Sequence, residues 1–252
     1  MPAFLEISTC GWCVLSCKYC PQEKLRANYK GVYAMPFNTF KTAVDMLPTG
    51  STVSFAGYSE PCVHELIAEM ILYASERHKL MLLTTLIGLT IGEYNKIRKL
   101  RFDHFSIHLP DSEGRTKFDI TDDYKKLLRH IIDNPPSGNL LFNHHEGDIH
   151  PEVKSIVKKS MLLQIYDRAG NGEYGIKKNY TFPVTCGHRF LTPEGSGVLI
   201  PNGDMQACCS DFLLKYKLGN VYKNTWAEIA DSPVKALVEK ELCPKCFYAR
   251  RK

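Results

Sequence analysis

Short apolar runs alternate along this chain with longer stretches in which apolar residues recur every three to four positions. Residues 4–8, 52–55 and 80–85 are short and apolar or β-branched, and 105–109 alternates apolar with polar; each reads as a strand. Residues 140–143 and 162–166 are further strand candidates. Residues 37–47, 63–78, 91–100 and 122–133 read as helices. In the second of these Val63, Ile67, Met70, Ile71 and Ala74 share one face; in the last, Leu127, Leu128, Ile131 and Ile132 do. Repeated strand–helix units predict an α/β protein with a parallel sheet and crossover helices. From Cys186 onward the pattern changes. Residues 197–200 and 205–208 flank Pro201-Asn202-Gly203-Asp204, which reads as a β-hairpin with an Asn-Gly turn. A helical stretch then runs from Trp226 to about Glu241.

With 252 residues, 44% hydrophobic and 23% charged, the chain can bury one large core, with or without a small appendage. No run of about 18 apolar residues appears, so no membrane span is expected. The N-terminus lacks a basic region followed by a long apolar run, so no signal peptide is expected either. The net charge of +5 permits an anionic or nucleic-acid ligand without demanding one, and the short basic run Arg250-Arg251-Lys252 is a thin footprint for RNA. Ten cysteines do change the picture. A chain of this length needs no disulfides to fold, and in the reducing cytoplasm expected here clustered cysteines read as metal ligands or catalysts.

Cys13, Cys17 and Cys20 have the spacing C-x3-C-x2-C, with Cys10 just before them. Three thiolates on one loop can take three corners of a cubane and leave the fourth iron open to a chelating ligand. A four-cysteine electron-transfer site leaves none open. The competing reading is a structural zinc held by Cys10, Cys13, Cys17 and Cys20, although zinc knuckles usually pair two C-x2-C units across a longer loop.

The triplet after a first strand, with an aromatic before its last cysteine, resembles the radical S-adenosylmethionine (SAM) superfamily. The resemblance implies a partial (β/α)6 TIM-like barrel over residues 1–170. Cys13, Cys17 and Cys20 would then hold a 4Fe–4S cluster that chelates SAM, with Tyr19 near the adenine. Ala56-Gly57-Tyr58-Ser59-Glu60-Pro61 is similar to the family's G-G-E-P segment, which implies that Gly57 and Glu60 receive the SAM amino group; Ser59 departs from the usual glycine. Thr84, Ser106 and His108 fall where the family places further contacts to SAM. Asn143, His144 and His145 end the fifth expected strand and could line the pocket. Arg168, after the sixth, suits a carboxylate or hydroxyl.

The C-terminal order also has a counterpart. A cysteine before the hairpin, one at its end, Leu218-Gly219-Asn220, a tryptophan helix and Cys243-Pro244-Lys245-Cys246 resemble the twitch domain, a shortened SPASM domain. This implies that residues 171–252 hold an auxiliary 4Fe–4S cluster through Cys186, Cys208, Cys243 and Cys246, making two clusters in all. Zinc is the alternative here too. Cys209 would project beside the cluster, as a pocket wall or as a hydrogen donor.

A fully ligated cluster beside the site favours oxidation. Within the family the closest resemblance is to the 2-deoxy-scyllo-inosamine dehydrogenases. It implies an oxidoreductase that turns a hydroxyl-bearing carbon of a sugar or aminocyclitol-like molecule into a ketone, with Tyr58, Arg168 and Cys209 contacting substrate. A flavodoxin- or ferredoxin-type reductant is expected from the family. The alternatives are an epimerase with Cys209 as hydrogen donor, a peptide- or RNA-modifying enzyme, and a non-catalytic iron–sulfur or zinc module.

Overall fold

The computed structural model describes residues 2–187, 189–191 and 195–252. Its centre is a nine-stranded sheet. The strands are β1 (Phe4–Ile7), β2 (Thr52–Phe55), β3 (Lys79–Thr84), β4 (Arg101–His108), β5 (Ser137–His145), β6 (Met161–Leu163), β8 (Gly195–Leu199), β9 (Asp204–Gln206) and β10 (Lys217–Asn220). Their order is β10-β9-β8-β1-β2-β3-β4-β5-β6. Strands β1 to β6 pair in parallel with their sequence neighbours, as the strand–helix alternation predicts. A two-stranded ribbon pairs β7 (Val184–Thr185) with β11 (Arg250–Arg251).

The helices that cover the outer face include α1 (Gln22–Asn28), α2 (Phe37–Asp45), α3 (Ile67–Ser75), α4 (Ile91–Ile97) and α5 (Asp122–Asp133). Alternation along each strand divides the residues between two environments. Leu5, Ile7, Val53, Phe55, Leu80, Leu82, Phe105 and Ile107 are buried in the main core, with Phe40, Ile67, Met70, Ile71 and Leu128 from the helices. The intervening positions point the other way, into the barrel, and many of those are polar.

The elements differ from the sequence pattern in instructive places. The helix expected from Val63 starts at Ile67, because Pro61–Val63 forms a 3-10 turn and His64 Nδ1 accepts the Leu66 N–H at 3.1 Å. The helix expected over 226–241 is broken into α7 (Trp226–Ala230) and α8 (Val234–Glu241), since Pro233 cannot continue α7. Strand β4 starts four residues earlier than its alternation suggests. Helix α1 and the single turn α6 (Pro151–Lys154) carry too few apolar residues to show a period.

The hairpin of the C-terminal third forms as expected, with Gly203 at φ +84° and its N–H on the Ile200 carbonyl at 2.9 Å. Its strand β8 lies parallel to β1, Leu5 opposite Gly197 and Ile7 opposite Leu199. The sheet therefore runs without interruption across the boundary expected between residues 170 and 171.

Phe105 is fully buried on β4, edge-on to both Tyr94 of α4 and Phe102. Phe105→Ala removes that packing and leaves a cavity. It is expected to lower the unfolding free energy by about 3–5 kcal/mol, read from urea denaturation midpoints; a loss under about 1 kcal/mol would show that the core closes around the gap.

Candidate active site

The inward-facing residues of the barrel surround a cavity of about 890 Å³ at the C-terminal ends of the parallel strands. β1 contributes Phe4 and Glu6, β2 Thr52 and Ser54, β3 Met81, Leu83 and Thr84. β4 contributes His104, Ser106 and His108, and β5 Asn143 and His145. A typical TIM barrel packs this space with branched apolar side chains; here hydroxyls, amides and imidazoles face a void. His144 faces the opposite way by alternation, and its Nδ1 meets the Ser160 hydroxyl at 2.8 Å.

The loop after β1 brings Cys13, Cys17 and Cys20 to one wall of this cavity, and Tyr19 to the same wall. Burial raises Cys13 and Cys17 to about 12 and about 11, with smaller upward pushes from Glu60 on Cys13 and from Cys20 on both. Tyr19 is buried, with its ring 4.6 Å from that of His145 and its hydroxyl 2.8 Å from Thr116 Oγ1. Cys10 stands apart, buried between the Thr9 and Tyr33 side chains, and does not line the cavity. Among the described residues no three His, Cys, Asp or Glu donors converge on a single-ion site. What Cys13, Cys17 and Cys20 share is a cavity wall, which suits a multi-iron group with room for a ligand beside it.

Glu60 follows β2 and is 4% exposed. Its Oε1 accepts from the Cys62 N–H at 3.1 Å and from the Thr84 hydroxyl; Oε2 accepts the Thr85 N–H at 2.7 Å and the Thr85 hydroxyl at 2.8 Å. Burial raises its carboxyl and these donors oppose the rise. The carboxylate is thus held rigidly at the cavity edge. Gly57 has φ +74°, and a Cβ there would stand 2.8 Å from Ser8 Cβ, so the backbone passes too close to β1 for any side chain. Ser59 has a structural use: its hydroxyl lies 3.2 Å from Ser8 Oγ and accepts the Cys10 N–H at 3.2 Å, tying this loop to the start of the cysteine loop.

His108 and His145 are pushed down to about 3 and about 4, chiefly by burial, so both rings are neutral near pH 7. They can accept or donate hydrogen bonds but supply no charge. The amide of Asn143 donates to the Ser106 hydroxyl, while Asn143 Oδ1 and His145 Nδ1 are buried without a partner.

Arg168 enters from the loop after β6. Arg168, Ala169 and Gly170 all have positive φ, at 52°, 56° and 83°. A non-glycine pair in this region is strained, and Arg168 lines the cavity. Its Nη1 donates to the Tyr166 hydroxyl at 3.0 Å, and the group sits 4.8 Å from the Tyr166 ring centroid. Tyr58 lines the cavity, but its hydroxyl is committed to the Cys208 carbonyl at 2.7 Å, its N–H to Ser8 Oγ and its carbonyl to Gln22, so the ring is what it presents.

Of the adjacent C-terminal cysteines, Cys209 lines the cavity and Cys208 does not. The Cys243 thiol senses Cys186 and Cys246, and Cys246 senses Cys209 and Cys186. Cys186, Cys243 and Cys246 thus form one group beside the Cys208–Cys209 pair, with Cys209 on its Cys246 side. The thiol of Cys208 accepts the Ser210 N–H at 3.4 Å.

The residue that sequence reasoning missed is Glu6. Burial raises its carboxyl to about 7, against the pull of Arg168 and the Gly57 N–H. The signal was available: Leu5 and Ile7 face the core, so an acid between them must face the barrel. Tyr166, Phe190, Phe247 and Tyr248, which complete the cavity wall, had no comparable periodic signal.

Below about pH 4.5 the Glu6 carboxyl holds its proton in folded and unfolded chains alike; from there to about 7 only the folded chain keeps it. Raising pH through that window therefore costs stability. Glu6→Gln should flatten the fall in thermal midpoint between pH 5 and 8 and gain about 1–2 kcal/mol at pH 8. Equal pH slopes in the two proteins would show that Glu6 ionises normally.

Residues 191–247 match the SPASM family, an iron–sulfur cluster-binding domain. No curated protein matches the chain by sequence. Among solved structures the chain is similar to BtrN in complex with AdoMet and 2-DOIA, at 16% identity over 96% of this chain and 87% of that one, TM-score 0.66. It is similar to anSMEcpe with bound AdoMet, at 14% identity over 98% and 84%, TM-score 0.67. A third is Streptococcus suis SuiB bound to the precursor peptide SuiA, at 12% identity over 98% and 70%, TM-score 0.65. The chain shares a TIM-like barrel fold with these structures, and its residues 191–247 match an iron–sulfur cluster-binding SPASM domain.

Proposed function

We propose that the protein is a radical SAM enzyme that oxidises a hydroxyl-bearing carbon of a small molecule. The observation that carries this reading is the meeting of Cys13, Cys17 and Cys20 with Glu60 around one cavity at the strand ends. Bound there, a 4Fe–4S cluster would supply the electron for cleavage of SAM to methionine and a 5′-deoxyadenosyl radical, and a second cluster would supply an acceptor for the electron that the oxidised substrate gives up. Cys186, Cys243 and Cys246, with one of the Cys208–Cys209 pair, would hold the second.

The chain's own residues bind and orient. Glu60, fixed by Thr84, Thr85 and the Cys62 N–H, presents negative charge to an ammonium group at the cavity edge. Ser106, Asn143 and the neutral His108 and His145 offer hydrogen bonds to hydroxyls and ring nitrogens of a bound nucleoside. Arg168 orients a carboxylate or a substrate oxygen. Glu6 is suited to take the hydroxyl proton, since a carboxyl near 7 is matched to proton transfer near neutral pH. Phe190, Phe247 and Tyr248 exclude water from that end of the cavity.

The cavity is of the size that holds small ligands, and the BtrN complex with AdoMet and 2-DOIA supports an aminocyclitol-like substrate. One observation favours a second reading, epimerisation. The neighbouring Cys208 thiol and burial hold Cys209 well above the ordinary thiol range, so it stays protonated and able to return a hydrogen atom at the cavity wall.

After anaerobic reconstitution with iron and sulfide, dithionite and SAM should yield 5′-deoxyadenosine from a protein carrying about eight irons. Cys17→Ala should abolish the deoxyadenosine and leave about four irons. Bound zinc with no SAM cleavage would sink the reading in favour of a structural module. With a panel of polyols and aminocyclitols, a Cys209→Ala protein that keeps about eight irons should still give ketone if the reaction is oxidation. Loss of an epimerised product with deoxyadenosine retained would establish the epimerase instead.

A further inference from the structure

Gln22, the first residue of α1, is 7% exposed and stands at the meeting of three segments. Its Oε1 accepts the Cys13 N–H at 2.9 Å, at the start of the cysteine loop. Its Nε2 donates to the Tyr58 carbonyl at 2.7 Å, in the loop that carries Gly57 and Glu60, and to Cys20 Sγ at 3.4 Å. The orientation of the amide is forced. Cys13 N–H can only donate and Tyr58 C=O can only accept, so oxygen must face the first and nitrogen the second. Both nitrogen hydrogens are then used, and one of them is aimed at a sulfur of the proposed iron site. The local chain supports this placement: Gln22 N–H bonds the Cys20 carbonyl at 2.8 Å, and Arg26, one turn further along α1, donates to the Cys13 carbonyl at 2.8 Å.

We infer that Gln22 is a positioning residue that sets the reduction potential at Cys13, Cys17 and Cys20 and keys that site to the Gly57–Glu60 loop. The inference rests on the radical SAM reading. An N–H donor on a ligating sulfur stabilises the added negative charge of the reduced state, and hydrogen bonds to the sulfurs are among the terms that set such potentials. The same amide nitrogen holds the Tyr58 carbonyl, two residues before Glu60. Seating an ammonium group on Glu60 would therefore pull on the group that bonds Cys20. A side chain of similar volume without the amide should keep the packing and lose both effects.

The test is a spectroelectrochemical titration of the anaerobically reconstituted full-length protein, with and without SAM, for wild type, Gln22→Leu and Gln22→Glu. Iron content is measured on each sample. Gln22→Leu should reach wild-type iron content, titrate at a more negative potential, and show a smaller SAM-induced shift. Its SAM affinity should fall by about tenfold, the worth of one buried hydrogen bond. Gln22→Glu keeps the acceptor for Cys13 N–H but replaces the donor with negative charge, so it should load iron and titrate at least as negative as the leucine variant. If Gln22→Leu fails to assemble, the glutamate variant decides the question alone. A variant with full iron content and unchanged potential overturns the inference and leaves the radical SAM reading intact. Absence of any 4Fe–4S signal in wild type overturns both.

Discussion

The structure depends on the position of β1 in the middle of its sheet. Phe4–Ile7 pairs with Thr52–Phe55 on one side and Gly195–Leu199 on the other, and the ladder continues one step further through Ser8 N–H to the Leu199 carbonyl at 2.9 Å. Both ladders must form for the cysteine loop that follows to leave the sheet in a defined direction. The same pairing fastens the C-terminal hairpin to the barrel, so the two groups of cysteines share one rigid element. The Tyr58 hydroxyl on the Cys208 carbonyl adds a second link between them.

From that strand outward, each layer of the site is held by the next. Ser8 and Ser59 hydroxyls bond across from β1 to the loop after β2. That loop carries Glu60, whose oxygens are fixed by Thr84 and Thr85 at the end of β3. Gln22 connects the cysteine loop to the same segment. Because a buried charge is costly unless bonded, this shell matters more than its individual bonds suggest. It keeps Glu60 at the edge of the cavity that Arg168 also lines.

The polar interior is what distinguishes this barrel from a merely structural one. Glu6, Ser106, His108, Asn143 and His145 occupy positions where apolar side chains would pack more tightly and contribute more stability. Their burial shifts Glu6 upward and both histidines downward, so the cavity near neutral pH holds a carboxyl poised to exchange a proton and imidazoles that carry none. Sites that trade stability for chemistry have this character.

Much of this was legible in the residues themselves. Alternation and helical period marked most strands and helices, because those patterns follow from which face must be buried. The C-x3-C-x2-C and C-x2-C spacings marked Cys13, Cys17 and Cys20 as one group and Cys243 with Cys246 as another, since thiols on a short loop stay close in space. Glu6, an acid between two core-facing residues, is legible in the same way. Other features were set only in three dimensions. The parallel pairing of β8 with β1 joins segments about 190 residues apart, and no local pattern encodes a partner that distant. The period around 63–66 pointed to a helix that a histidine–backbone bond forbids. Which of Cys208 and Cys209 reaches the cavity, where Gln22 sends its amide, and which aromatic side chains close the far wall all depend on contacts between distant segments. Local sequence constrains the face a residue takes; only packing chooses what that face meets.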